Sequence, residues 1–79
     1  MNTYYLFSTT GCHLCEQAEQ LLQTLPEPVD YSIKDITDNE EWMSRYGIRI
    51  PVLHHKTSAD ELNWPFDADS LRHFIQHHA

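Results

Sequence analysis

Between Tyr4 and Lys34 the hydrophobic period switches from strand to helix and back, and this pattern constrains the fold more than any other feature of the chain. Tyr4-Tyr5-Leu6-Phe7 is a short apolar, aromatic run suited to a buried strand, and Ser8-Thr9-Thr10-Gly11 breaks it with turn-forming residues. Leu14, Ala18, Leu21, Leu22 and Leu25 then recur at i, i+4, i+7, i+8 and i+11, one face of a helix. Glu16, Gln17, Glu19, Gln20 and Gln23 fill the other face, and Pro26 and Pro28 end it. Val29, Tyr31 and Ile33 alternate with Asp30, Ser32 and Lys34 at strand period. A strand, a crossover helix and a second strand in this order form a right-handed parallel unit.

Past Lys34 the chain alternates again. Thr37 with Glu40, and Asp38 with Glu41, have capping-box spacing, so a second helix is expected to start near Thr37 or Asp38. Trp42 and Tyr46 share one of its faces, and Gly47 suits its stop. Ile50-Pro51-Val52-Leu53 reads as a strand that opens on a proline. Lys56-Thr57-Ser58-Ala59-Asp60 is a polar turn, and Glu61-Leu62-Asn63-Trp64 is a short return strand, giving a hairpin. Asp67 is placed to cap a last helix with Leu71, Phe74 and Ile75 facing inward. The expected order is β-α-β-α-β-β-α. This is an α/β architecture, a four-stranded mixed sheet flanked by three helices. With 79 residues it makes one domain, 1–79, whose core has to be compact.

Charge excludes some functions. Five Lys and Arg against twelve Asp and Glu leave a net charge of −7, too acidic for the basic stripe of a nucleic-acid binder. An anionic membrane surface repels such a chain. No apolar run is long enough to span a bilayer, and the first residues lack the basic start and apolar core of a leader peptide. No nucleic-acid or membrane partner is therefore expected, and the cytoplasm is the expected compartment. Thiols stay reduced there unless they serve redox or metal chemistry. Three Phe, two Trp and four Tyr, with periodic apolar stretches, argue against disorder.

Cys12-His13-Leu14-Cys15 is the one cysteine motif, and it lies where the first strand hands over to the first helix. Unpaired N–H groups and the positive dipole end at a helix start stabilise an anion. A Cys12 thiolate is favoured there, so its pKa is expected below that of a free thiol. Cys15 sits one turn inside, on the apolar side near Ala18 and Leu22, and is expected to be the more buried sulfur. The implied chemistry is thiol–disulfide exchange: Cys12 attacks a substrate disulfide, and Cys15 then resolves the mixed disulfide. Three other readings stand beside it. A structural disulfide closing so short a loop removes little entropy from the unfolded chain. A metal site needs further ligands, and no histidine has zinc-finger spacing to the pair. Two inert core cysteines are the third. His13 either adds positive charge beside Cys12 or points to solvent above it, since adjacent helix residues do not face each other.

Taken together, Tyr5-Leu6-Phe7-Ser8, Gly11-Cys12-His13-Leu14-Cys15-Glu16, Asp35-Ile36, Tyr46-Gly47-Ile48-Arg49-Ile50-Pro51-Val52-Leu53 and Trp64-Pro65-Phe66-Asp67 resemble the glutaredoxin branch of the thioredoxin superfamily. The best match is to the short glutaredoxin-like proteins, over nearly the whole chain. The resemblance implies the thioredoxin-like fold. It also implies a cis Ile50–Pro51 bond beside the cysteines, with the Ile50 backbone pairing with a substrate chain in the manner of an added strand.

Some family features are missing. Glutathione-using glutaredoxins carry a Lys shortly before the first Cys, where this chain has Ser8-Thr9-Thr10, and a Gly-Gly segment near the place of Asn63-Trp64-Pro65-Phe66. Thioredoxins carry a buried carboxylate where this chain has Leu6. The candidate site set is thus catalytic Cys12 and Cys15, with Ile50, Pro51, His13, Arg49, Trp64 and Asp67 toward substrate. Arg49 or Arg45 is the cation for a ligand carboxylate, and Asp67 has both a capping role and a possible ligand amine. The expected partners are protein or low-molecular-weight disulfides and a thioredoxin- or glutathione-type reductant. Glutathione is a candidate co-substrate, no cofactor or metal is expected to be bound, and a monomer is expected. The alternative is a thioredoxin-fold module whose cysteines hold a metal or iron–sulfur cluster, within one chain or between two; a scaffold that lost the chemistry is a third.

Trp42 is expected in the core, and Trp64 and Phe66 are expected to be more open, near the site. His73 and His77, four apart on the last helix, read as an exposed pair. His54 and His55 have no evident partner in the sequence. No Gly-rich phosphate loop and no Ser-His-Asp set is legible.

Overall fold

In the computed structural model, which describes residues 3–26 and 29–78, the first aromatic run forms β1 (Tyr4–Ser8). The period-3.6 stretch forms α1 (His13–Thr24). It stops one residue before Pro26, with Leu25 as its extended C-cap. Pro28, expected to help end it, lies outside the described residues. Then come β2 (Tyr31–Asp35), a 3-10 turn over Ile36–Asp38, α2 (Glu40–Tyr46), β3 (Val52–His55), β4 (Glu61–Asn63) and α3 (Ala68–His77). The sheet order is β2-β1-β3-β4. β1 pairs with β2 in parallel and with β3 antiparallel, and β3 pairs antiparallel with β4. This is the mixed sheet and strand–helix order of the thioredoxin-like fold.

Alternation along β1 divides the core in two. Tyr4 and Leu6 point to one face, where they pack with Ala18 and Leu22 of α1, Leu53 of β3, Phe66, and Leu71 of α3. Phe7 points to the other face and packs with Ile36, Tyr46 of α2 and Val52. Leu71 is fully buried, with Phe74 and Ile75 partly buried against the same cluster, as the last helix's period requires. Each fully buried side chain of this size contributes about 1.5–3 kcal/mol. Among the described residues no helix is long and apolar enough to cross a membrane.

The pairing register brings the functional segments to one end of the sheet. Ser8, at the end of β1, stands opposite Asp35, at the end of β2. Phe7 stands opposite Val52, the first residue of β3, and Val52 stands opposite Asn63, the last residue of β4. The start of α1, the Ile50–Pro51 segment and the Asn63–Asp67 turn therefore leave the sheet at the same edge.

Several expectations change. α2 starts later than Thr37 or Asp38. Asn39 is its N-cap, its Oδ1 accepting the N–H groups of Glu41 and Trp42. Thr37 is drawn instead to Asp35, whose Oδ1 accepts both its N–H and its hydroxyl. Ile33 shares the Leu6 face by register but is exposed, because β2 is an edge strand. Phe66 is buried rather than open. His54 and His55 both have partners, Glu61 and Ser58 respectively. Trp42, by contrast, packs against the second cluster as expected, its ring tilted on Phe7.

Candidate active site

Gly11 sets up the cysteine turn. Its φ of +78° lies in the left-handed region, where a side chain is strained, and a Cβ there would meet nothing, so backbone conformation alone explains the glycine. The next residue, Cys12, is the N-cap of α1 in extended conformation. Its Sγ accepts the N–H of Cys15 at 3.2 Å, the hydrogen bond that Ser or Asp usually makes at this position. Its carbonyl accepts the N–H of Glu16 and opens the helical ladder. A thiolate formed here has a donor and the positive end of the helix directed at it.

The two sulfurs are joined as a disulfide, with Cα atoms 5.2 Å apart, inside the range such bonds span. Burial separates the pair. Cys15 is 4% exposed, on the same helix side as buried Ala18 and Leu22, whereas Cys12 is partly exposed. Cys12 is thus the sulfur an incoming molecule can reach. Leu14, expected on the apolar stripe, is 44% exposed between them. His13 projects to solvent with its side chain 91% exposed, its Nδ1 3.7 Å from Glu16 Oε2. Thr9, just before the turn, donates its hydroxyl to Asp35 Oδ1 at 3.2 Å and ties the ends of β1 and β2 together. The Thr37 N–H, its hydroxyl and then Thr9 hold the Asp35 carboxyl below its ordinary range.

The second part of the site is the segment before β3. Pro51 is fully buried and the Ile50–Pro51 peptide is cis; the Trp64–Pro65 peptide is also cis. The N–H groups of Arg49 and Ile50 both donate to the Tyr46 carbonyl, at 2.8 and 3.1 Å. Pro51 has no N–H. Three consecutive positions thus have no uncommitted backbone donor.

Arg49 is not a loose cation. Its Nη2 donates to Asn63 Oδ1 at 2.7 Å and to Glu61 Oε1 at 3.3 Å, and its Nη1 donates to the Arg45 carbonyl at 3.4 Å. Arg45 itself pairs with Glu41 on the outside of α2. Glu61 Oε2 accepts the Tyr46 hydroxyl and lies 3.0 Å from His54 Nδ1. Burial pushes the Glu61 carboxyl upward, but Tyr46, His54 and Arg49 together outweigh that and hold it below its usual range.

Asp67 is committed to α3. Its Oδ1 accepts the Ser70 N–H at 2.8 Å, and its own N–H donates to Ser70 Oγ at 3.0 Å, a capping box. Trp64 packs edge-on against Phe66 and borders an open hollow of about 310 Å³ with Gln17, Gln20, Leu21 and Thr24. Neither cysteine lines that hollow. Sequence reasoning missed Tyr46, Glu61 and Asn63 as parts of the site's frame. The one sequence signal was the run Tyr46–Pro51; Glu61 and Asn63 enter only through the β3–β4 register.

Solved structures with this fold include protein XcR50 from X. campestris. Its crystal structure matches 94% of this chain and 96% of its own at 35% identity, with a TM-score of 0.83. Its solution structure matches 95% and 94% at 36% identity, with a TM-score of 0.81. Protein Ne2328 from Nitrosomonas europaea matches 91% of this chain and 88% of its own at 27% identity, with a TM-score of 0.78. A family model, the glutaredoxin-like domain (DUF836), matches residues 3–76. With its C-x-x-C pair at disulfide distance on a thioredoxin-like frame, the chain belongs to the glutaredoxin-like domain family.

Proposed function

We propose that this protein is a thiol–disulfide oxidoreductase whose preferred substrates are protein disulfides. The observation that carries this reading is the asymmetry of the pair: Cys12 caps α1, accepts a backbone N–H and is reachable, while Cys15 is buried one turn behind it. In the reducing direction the Cys12 thiolate attacks one substrate sulfur. The first substrate thiolate leaves and a mixed disulfide forms. Cys15, losing its proton to solvent, then attacks Cys12 Sγ and expels the second substrate thiolate, leaving the internal disulfide. Two electrons from an external thioredoxin- or glutathione-type thiol reductant restore the dithiol. Leu6 is fully buried where a carboxylate would stand in a thioredoxin, so water or another group carries the Cys15 proton.

The substrate preference rests on the rim. Leu14 is half-exposed beside the cysteines and Ile48 is fully exposed two residues before Ile50, apolar surface that suits a protein partner. A glutathione site has less support. Arg49 is already bonded, Asp67 is engaged in its cap, and bulky Trp64-Pro65 stands where a close backbone approach would need glycines. We place the protein as a cytoplasmic monomer with no bound cofactor.

The alternative, a metal or iron–sulfur module, needs ligands beyond Cys12 and Cys15. Among the described residues no group of three or more His, Cys, Asp or Glu side chains converges, so these residues do not supply a four-ligand centre. Two variants and one spectrum test the proposal. Cys12→Ser abolishes disulfide reduction, and Cys15→Ser accumulates a mixed disulfide on Cys12. Retained turnover in Cys12→Ser, no trapped adduct in Cys15→Ser, or a coloured, iron-loaded protein whose thiols do not cycle would each overturn it.

A further inference from the structure

Five Lys and Arg stand against twelve Asp and Glu in this chain, so each cation has acids to choose from. Arg45 and Arg49 take them, pairing with Glu41 and Glu61. The two lysines do not. Among the described residues neither has a carboxylate at ion-pair distance, and both turn to one aromatic ring. Lys34 Nζ lies 5.0 Å from the Tyr5 centroid, and Lys56 Nζ lies 4.9 Å from it.

Register explains how they meet. Tyr5 of β1 stands between Ser32 of β2 and His54 of β3, and Lys34 stands opposite Phe7. The ladder continues past β3, where the Lys56 N–H donates to the Thr3 carbonyl at 3.0 Å. Alternation therefore puts both lysines on the Tyr5–Phe7 face of the sheet, one on each flank of β1. Trp42 and Tyr46 of α2 cover Phe7 there. Tyr5, the other β1 residue on that face, is only partly buried, with the His54 ring stacked on it at 6.3 Å between centroids. Among the described residues, Glu61 is the one carboxylate at the strand positions of this face, and Tyr46, Arg49 and His54 already bond it. Across from Tyr5, the Ser32 Oγ is buried with no hydrogen-bond partner.

Two ammonium groups gathered at one ring repel each other, and the ring's negative face offsets that only in part. We propose that this face is a second contact surface, separate from the cysteine pair, and that it takes a carboxylate-rich segment of another protein, seated over Tyr5 between Lys34 and Lys56. Charge complementarity limits the occupant. The net charge of −7 repels an extended polyanion such as nucleic acid or an anionic bilayer. Screening over about 8–10 Å lets a short acidic segment feel the two lysines and little else. The arginines beside the face are already bonded, so it offers no free planar fork for a phosphate. Cys12 opens α1, which packs on the opposite face with Tyr4 and Leu6, so a partner seated here leaves that sulfur open. The inference stands apart from the redox reading.

Titration of the nitrogen-15-labelled full chain with an oligo-glutamate peptide tests it, with oligo-glutamine of the same length as the control. The expected result is saturable binding of the acidic peptide alone, with amide shifts centred on Tyr5, Ser32, Lys34, His54 and Lys56. Alkylation of Cys12 should proceed at the same rate in saturating peptide. Raising salt from about 0.1 M to 1 M, where the screening length falls to about 3 Å, should release the peptide. Lys34→Gln combined with Lys56→Gln, its fold confirmed by a thermal melt, should weaken binding roughly tenfold, about threefold per lysine. Arg72→Gln, a charge lost on α3, should change it less than about twofold. No saturable binding, shifts centred elsewhere, equal affinity in the double-lysine variant, protection of Cys12 by the peptide, or tighter binding of a phosphopeptide or oligonucleotide of equal charge would each overturn the proposal.

Discussion

Alanine at Gly47 sets two opposed effects against each other, and the structure decides the sign. Gly47 ends α2 in right-handed conformation, φ −50° and ψ −36°, with its N–H donating to the Met43 carbonyl at 3.0 Å. Any L residue adopts that backbone, so unfolded-chain entropy alone would make Gly47→Ala stabilising by about 0.4–1 kcal/mol. Contact reverses this. A Cβ at position 47 would lie 2.5 Å from the Met43 carbonyl oxygen and 3.7 Å from its carbon. Relief requires a shift of roughly half an ångström or more towards ordinary contact distance. The atom in the way is helix backbone, which does not swing aside as a side-chain tip does. Overpacking of this kind typically costs about 1–3 kcal/mol. The net expectation is destabilisation of about 1 kcal/mol, a fall in Tm of roughly 4–8 °C for a domain of this size. Arg49 and Ile50 hang from Tyr46, the residue before Gly47, so amide shifts should spread to positions 49 and 50. Thermal unfolding followed by far-ultraviolet circular dichroism is the assay. A Tm equal to or above that of wild type would refute the reasoning.

Two further outcomes follow from packing and charge. Leu53 is fully buried on the central strand β3, between Leu6 of β1 and Leu62 of β4. Leu53→Ala should cost about 2–5 kcal/mol in urea unfolding, and a loss below about 1 kcal/mol would contradict the core assignment. At the far end of the sheet His78 Nε2 lies 2.8 Å from Asp60 Oδ2, which raises the His78 pKa and lowers that of Asp60. The raised His78 contributes fully below the unfolded histidine value of about 6.5 and loses its contribution as pH climbs through the folded value. The lowered Asp60 contributes above the unfolded aspartate value of about 3.9 and loses its contribution as pH falls through the folded one. The stability gap between wild type and Asp60→Asn should therefore be widest between about pH 4 and pH 6.5 and shrink on both sides. A gap that grows steadily toward alkaline pH would exclude the pairing. Neighbouring His55 runs the other way, its pKa lowered first by burial and then by His78, so it adds stability above about pH 6.5 and loses it on acidification.

What the sequence made legible was periodic and local. Leu71, Phe74 and Ile75 announce the inner face of α3, and Asp67 its cap, because both signals lie within a few residues. The cysteine turn was legible for the same reason: strand, turn, Gly11, C-x-x-C and helix follow one another directly. The reading failed where a residue's surroundings depend on a distant partner. Thr37 and Asp38 have good cap spacing, but Asp35 captures Thr37 and leaves the cap to Asn39. Leu14 fits the apolar stripe of α1, yet it sits in the first turn, at the open end of the sheet where nothing covers it. His54 and Glu61 are seven positions apart and meet only through the hairpin register, and Tyr46 and Glu61 are fifteen apart and meet only because α2 packs its Tyr46 on the sheet. The frame around Ile50–Pro51 was hidden for that reason, while the cysteines were not.

Alkylation of the fully reduced protein by iodoacetamide across a pH series tests the redox assignment at its root. The account predicts that Cys12 reacts first, with a titration midpoint below the ordinary thiol value of about 8.5, and that Cys15 is labelled only on unfolding. A midpoint at or above that value, or modification of Cys15 ahead of Cys12 in the folded protein, would contradict it.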